Sequence, residues 1–267
     1  RWSRVPASPR GGSGGGRPPE RDRASLQPMH NGRVPLVLLP GTLCDARVFA
    51  PLLDRLPPRE VLVPPLVGHD TAASMAAVLL TELPPRFALG GFSLGGIVAL
   101  EMVAQAPERI AGLALFDTTA RPGPGANRAV RRNAVARAAQ VGTGRYVGQK
   151  LLSLYVSADA GHLEKHRALV SAMAADAGLD TFRRQSEMAI SRADSRPRLG
   201  RIAVPTLVLC GEDDRLCSAE MHREMAAAIP GARLAIVPRA GHFALIEQPD
   251  AIAREVSAWL AAIDSRA

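Results

Sequence analysis

Gly90-Gly91-Phe92-Ser93-Leu94-Gly95-Gly96 sets a serine between glycines at the spacing G-x-S-x-G. That spacing suits a hydroxyl nucleophile carried on a sharp turn from a strand into a helix. The turn holds Ser93 in a strained backbone conformation. A side chain two residues before or after it would clash where strand and helix crowd together, and glycine at 91 and 95 relieves both clashes. The turn also brings the backbone N–H of Leu94 to a helix N-terminus, where it can stabilise an oxyanion. The bare pattern recurs by chance and a structural serine is its ordinary explanation; the strand-like run 86–92 and the helical run 94–106 around it favour the nucleophile.

A serine hydroxyl needs a base near neutral pH. Of six histidines, His30 falls in a Gly/Pro/Arg-rich leader, and His162, His166 and His222 fall among charged residues on helical segments, where a solvated imidazole is expected. His69, in Val67-Gly68-His69-Asp70, reads as a loop or entrance residue. His242, in Arg239-Ala240-Gly241-His242-Phe243, follows the last strand-like run and precedes the last helix, so its loop opens at the same end of the sheet as Ser93. His242 is the expected base. An acid must then orient the imidazole and stabilise its charge. Asp214, in Gly211-Glu212-Asp213-Asp214 after Thr206–Cys210, is the first choice, with Asp213 and Asp117 as rivals.

These residues need a frame, and from Val34 onward apolar runs of strand length alternate with amphipathic segments. Strands are expected over 34–40, 60–66, 86–92, 110–116, 206–210 and 233–237, and helices over 47–56, 73–83, 94–106, 218–229 and 249–263. Near-continuous apolar strands joined by helical crossovers predict a mostly parallel sheet of about six strands covered on both faces. Residues 121–200 contain no strand pattern, and helical stretches over 128–140, 146–157, 163–177 and 180–191 predict an inserted cap over the crevice where open α/β sheets bind ligands. The expected organisation is a disordered tail over 1–32, a core over 33–120 and 201–267, and a helical cap over 121–200.

The order Ser93, Asp214, His242 is that of the α/β-hydrolases, and the chain from Val34 to about Ala262 resembles that superfamily. The elbow GFSLGG, the acid loop VPTLVLCGEDD, the histidine loop IPGARLAIVPRAGHFALIEQP and the helical cap carry the likeness, which extends to small esterases, lactonases and carbon–carbon hydrolases. The chain departs from the family in two places. Pro40-Gly41-Thr42-Leu43-Cys44 stands where the family has His-Gly after its first parallel strand, and the family's N-terminal antiparallel hairpin has no counterpart before Val34. The resemblance implies a second oxyanion donor in the Thr42 N–H, with Leu43 as the alternative, and substrate contacts from Leu43 and Phe243. It implies no metal or organic cofactor.

Composition bounds the rest. The 267 residues are 47% apolar and 22% charged, which excludes wholesale disorder. Net charge is +8, but residues 1–28 hold six arginines against Glu20 and Asp22, and 4% aromatics leave few surfaces for stacking bases, so nucleic acid is not an expected partner. Three cysteines, Cys44, Cys210 and Cys217, match neither a disulfide framework nor a zinc spacing. Cys44, beside the oxyanion loop, reads as a small apolar filler, with a pocket-lining thiol as the alternative. With no apolar run long enough to span a bilayer, membrane insertion is not expected, and an odd cysteine count without a disulfide framework fits a reducing cytoplasm. The expected activity is hydrolysis of a small ester, lactone or thioester through an acyl-enzyme on Ser93. The alternatives are carbon–carbon hydrolysis or lyase chemistry on the same triad, or a ligand receptor with negligible turnover.

Overall fold

The computed structural model describes residues 3–4, 33–123, 127–151, 156–157 and 163–266. Strands β2 (Leu36–Leu39), β3 (Val61–Val63), β4 (Phe87–Phe92), β5 (Ile110–Phe116), β6 (Thr206–Gly211) and β7 (Arg233–Val237) form a parallel sheet. The apolar runs are continuous because successive strand side chains point to opposite faces and both faces are covered. Leu36 and Leu38 pack on one side with Leu52, Val256 and Trp259, while Val37 and Leu39 pack on the other with Leu79, Val98 and Met102.

β1 (Ser3–Arg4) adds an antiparallel edge, with Ser3 opposite Val63 and Arg4 opposite Leu62. These two residues depart from the expected disordered tail. Edge pairing is made by backbone groups and needs no apolar side-chain pattern, which is why the sequence carries no sign of it. The rest of the 1–32 expectation lies outside the described residues.

Sheet order β1-β3-β2-β4-β5-β6-β7 places the topological switch between β2 and β4. Parallel strands end at one edge, and a crevice opens there where the winding reverses. The loop after β2 holds Thr42 and the turn after β4 holds Ser93, so both flank that crevice. Helices α2 (Ala72–Glu82) and α3 (Leu94–Gln105) cover one face. The short α1 (Ala50–Leu53) lies over the other face, and there Pro51 and the preceding three-residue turn Ala46–Val48 cut the expected 47–56 helix to four residues.

The cap leaves the core after β5 and returns before β6 through α4 (Asn127–Val141), α5 (Thr143–Tyr146), a π-turn over Val147–Leu151 and α6 (Leu163–Ser191). α6 is two helical segments meeting at a kink at Gly178 (φ 76°, ψ 175°), matching the two helices expected from periodicity. In place of the expected 146–157 helix, α5 ends at Tyr146, a π-helical turn follows and 156–157 are non-helical, while residues 152–155 lie outside the described residues. α7 (Ala219–Ala228), the single turn α8 (Ala244–Glu247) and α9 (Pro249–Asp264) complete the core. Among the described residues, no helix is long and apolar enough to cross a membrane.

Candidate active site

Ser93 sits at the β4–α3 turn with φ 51° and ψ −112°, a conformation L-residues rarely adopt. Its surroundings over-determine it: its N–H donates to the Phe116 carbonyl (2.9 Å), and its carbonyl accepts from Thr118 Oγ1 (2.7 Å) and the Gly96 N–H (3.0 Å). A Cβ on Gly91 would lie 2.5 Å from the Gly95 carbonyl oxygen, and one on Gly95 would overlap the Leu39 carbonyl. Crowding at this turn therefore requires glycine on both sides of Ser93.

His242 arrives on the loop between β7 and α8. Its Nε2 is 3.0 Å from Ser93 Oγ and its Nδ1 is 2.8 Å from Asp214 Oδ2. Asp214 follows β6, and its Oδ1 accepts the Leu216 N–H (2.8 Å) and the Cys217 N–H (2.9 Å). Burial works against ionisation of this carboxyl, but His242 and the two N–H donors outweigh it and hold Asp214 below the usual carboxylate range. An ionised Asp214 fixes the proton on Nδ1 and leaves Nε2 as a base facing the hydroxyl.

The rival acids have other partners. Asp117, wholly buried at the end of β5 with φ 45°, accepts the Gly211 N–H (2.9 Å) through Oδ1, and its Oδ2 has no partner. Burial, and then the charge of Asp214, push its pKa well above the ordinary value. Asp213 accepts the Ser157 hydroxyl (2.6 Å).

Of the two oxyanion-loop donors weighed, the Leu43 N–H is spent on Gln185 Oε1 (2.7 Å), and the Thr42 N–H has no partner among the described residues. The Leu94 N–H, first in α3, is likewise unpaired. Gly41 lets this loop lie on the elbow, since a Cβ there would stand 2.8 Å from the Phe92 ring. Leu43, Cys44 and Phe243 line a cavity of about 230 Å³ beside Ser93 and His242. Burial, with Asp45 adding to it, pushes the Cys44 pKa up and keeps it a thiol, so its pocket-lining place is that of an uncharged wall group.

Two expectations fail. His222, expected in solvent, is fully buried, accepts the Thr118 N–H at Nε2 (3.1 Å) and lies 3.0 Å from the Ser218 carbonyl through Nδ1. Burial lowers its pKa and holds it neutral, a bracing role that charged sequence neighbours conceal. His166 is also buried, because α6 turns that face inward. His69 lies in a separate surface groove with Pro64 and Met75, away from Ser93. His30 and His162 lie outside the described residues.

Two positioning residues escape a sequence reading. Glu247 accepts the N–H groups on either side of His242, Gly241 (3.0 Å) and Phe243 (3.2 Å), and that of Ser157 (2.8 Å). An acid five residues beyond the histidine was a usable signal, because those loop N–H groups need an acceptor. Gln185 on α6 accepts from the Leu43 N–H and donates to the Leu66 carbonyl (2.9 Å), joining the cap to two core loops. Its partners are 142 and 119 residues away, and no local pattern announces them. Asp214, Cys217 and His242 place ligand atoms within 4.8 Å of one another, but the carboxylate and imidazole are hydrogen-bonded together and burial keeps the thiol protonated. That donor set suits proton transfer better than metal binding.

Residues 35–249 match the family described as alpha/beta hydrolase fold. The chain is 29% identical over 243 residues to a pimeloyl-[acyl-carrier protein] methyl ester esterase of Xanthomonas oryzae pv. oryzae, covering 85% of this chain and 95% of that one. Among solved structures, a thermophilic esterase from Thermogutta terrifontis superposes with a TM-score of 0.78 at 26% identity, covering 86% of this chain and 90% of that one. The enol-lactonase from Burkholderia xenovorans LB400 superposes with a TM-score of 0.76 at 26% identity, covering 87% and 93%. With a match across most of its length, a parallel sheet carrying a serine elbow, and a helical cap, the chain belongs to the α/β-hydrolase family.

Proposed function

We propose that the protein is a serine hydrolase that cleaves a small ester, lactone or thioester through an acyl-enzyme on Ser93. The observation that carries this reading is the unbroken line from Ser93 Oγ through His242 to Asp214, at 3.0 and 2.8 Å. Relatives named as esterase and enol-lactonase support the substrate class. In the first half-reaction the Ser93 hydroxyl proton passes to His242 Nε2 as Oγ bonds to the carbonyl carbon. The tetrahedral oxyanion accepts hydrogen bonds from the Leu94 and Thr42 N–H groups. Collapse breaks the bond to the leaving oxygen or sulfur, which takes the proton from Nε2. Water then repeats the sequence on the acyl-enzyme and frees Ser93. Residues 121–200 act as the cap that encloses the acyl group, and residues 33–120 with 201–267 carry the machinery.

Stopped-flow hydrolysis of 4-nitrophenyl acetate and butyrate tests the reading. The expected trace is a burst of about one nitrophenolate per chain followed by steady turnover. A burst without turnover indicates a receptor, and the absence of both rejects the acyl-enzyme.

In the same scheme Gln185 positions the oxyanion loop. Gln185→Leu strips a buried N–H and a buried carbonyl of their partners, at a cost on the order of 2 kcal/mol. The expected result is a Tm lower by roughly 4–8 °C and a kcat reduced about tenfold with KM little changed. A fall in Tm with kcat intact would leave Gln185 a structural tie between cap and core.

A further inference from the structure

The cleft at Ser93 has two lobes, and the second carries more polar groups than the first. The first, of about 230 Å³, is walled by Leu43, Phe92, Tyr146, Val170, Phe182 and Phe243. The second, of about 280 Å³, shares Thr42, Ser93, Arg131 and Leu216 with it and sets Thr118, Thr119, Arg121 and Arg192 beside apolar groups such as Ile97 and Met221. Three guanidinium groups therefore border a space that opens on the proposed nucleophile.

Arg192 differs from its neighbours in how it is held. Arg121 pairs with Glu220 and Glu224, Arg132 with Glu187, Arg184 with Asp180, and Arg196 with Asp194. Arg192 instead donates Nε–H to the Arg121 carbonyl (2.9 Å) and Nη1–H to the Ala189 carbonyl (2.7 Å). No carboxylate among the described residues forms an ion pair with it. Burial, and then the charge of Arg131, lower its pKa, and Cys217 and the two carbonyls only partly offset that cost. Two backbone carbonyls fix its plane and leave the Nη2 edge unengaged, an arrangement ready for an anion.

We propose that this lobe binds a carboxylate of the substrate, so that the ester or lactone opened at Ser93 has an anionic end on one side of its carbonyl and an apolar portion on the other. The Arg192 guanidinium, with two of its donors spent on carbonyls and no carboxylate paired with it, matches a monoanion better than a phosphate dianion. The proposal rests on Ser93 as nucleophile.

The test compares methyl esters of linear dicarboxylic acids, with two to five methylenes between the carbonyls, against isosteres in which the free carboxylate is a primary amide. In the unaltered protein the acid is expected to exceed its amide isostere about tenfold or more in kcat/KM, with the ratio falling at high salt. Arg192→Gln should bring the ratio close to one, and Arg192→Lys should leave it between. The ratio is the readout because a variant that is merely destabilised loses activity on both substrates alike. A ratio near one in the unaltered protein, or one that persists in Arg192→Gln, overturns the proposal. A phosphonate-ended ester outrunning the carboxylate overturns the choice of carboxylate. If no ester turns over and a fluorophosphonate leaves Ser93 unlabelled, the nucleophile reading has failed. Calorimetric titration with adipate then still reads the lobe: a Kd weakened about tenfold by Arg192→Gln supports it, and an unchanged Kd overturns it.

Discussion

Ser93→Ala and His242→Ala are each expected to lower kcat by about a million-fold, and the double variant by little more. The reason lies in the 3.0 Å contact between Oγ and Nε2. Without the imidazole the hydroxyl keeps its proton, and without the hydroxyl the imidazole has nothing to activate, so removing the second partner takes away almost nothing further. What survives is the contribution of the oxyanion N–H groups and of binding, roughly a thousand-fold over water. Both alanine variants should fold, because Ser93 caps no helix through its side chain and His242 leaves a small polar void. Steady-state kinetics on 4-nitrophenyl butyrate measure the three variants, and multiplicative losses would mean that the two residues act separately.

The second large effect separates the two acids. Asp214→Asn keeps the shape of the acid loop but removes the charge that holds the proton on Nδ1 of His242. In a serine protease whose acid was changed in this way the wrong tautomer costs about ten-thousand-fold, so a loss of roughly a thousand-fold or more is expected here. Asp117→Asn should cost less than about tenfold in kcat, since Asp117 bonds Gly211 and not His242. Stability should respond in the opposite sense. The raised pKa of Asp117 means that the unfolded chain loses this proton first as pH climbs past about 3.9, so the native state is progressively disfavoured above that value. Asparagine cannot ionise. The Tm of Asp117→Asn relative to the parent should therefore rise from pH 4 to pH 8, and thermal melts across that range check the sign. A large loss of turnover in Asp117→Asn with little in Asp214→Asn would exchange the two roles.

The sheet and the elbow were legible because they depend on local composition. Six apolar runs became six parallel strands, and the crowding argument for Gly91 and Gly95 reappears as atomic overlap. The meeting of Ser93, Asp214 and His242 was legible because parallel strands deliver their following loops to one edge. Other features depend on distance in sequence or on burial. Leu43 stayed level with Thr42 until Gln185, from a cap helix, occupied its N–H. His222 looked solvated because its neighbours Glu220, Arg223 and Glu224 are charged, yet α7 presents it to the core beneath Thr118. The edge pairing of Ser3 and Arg4 with β3 is made by backbone alone and leaves no mark on side-chain pattern.

The central claim is that Ser93 is a nucleophile activated by His242. Treatment of the intact protein with a fluorophosphonate, followed by intact-mass analysis and peptide mapping, tests it most directly. The account predicts one phosphonyl group per chain, located on Ser93, absent in Ser93→Ala and formed far more slowly in His242→Ala. Labelling that persists in Ser93→Ala, or that falls on another residue of the parent protein, would contradict it.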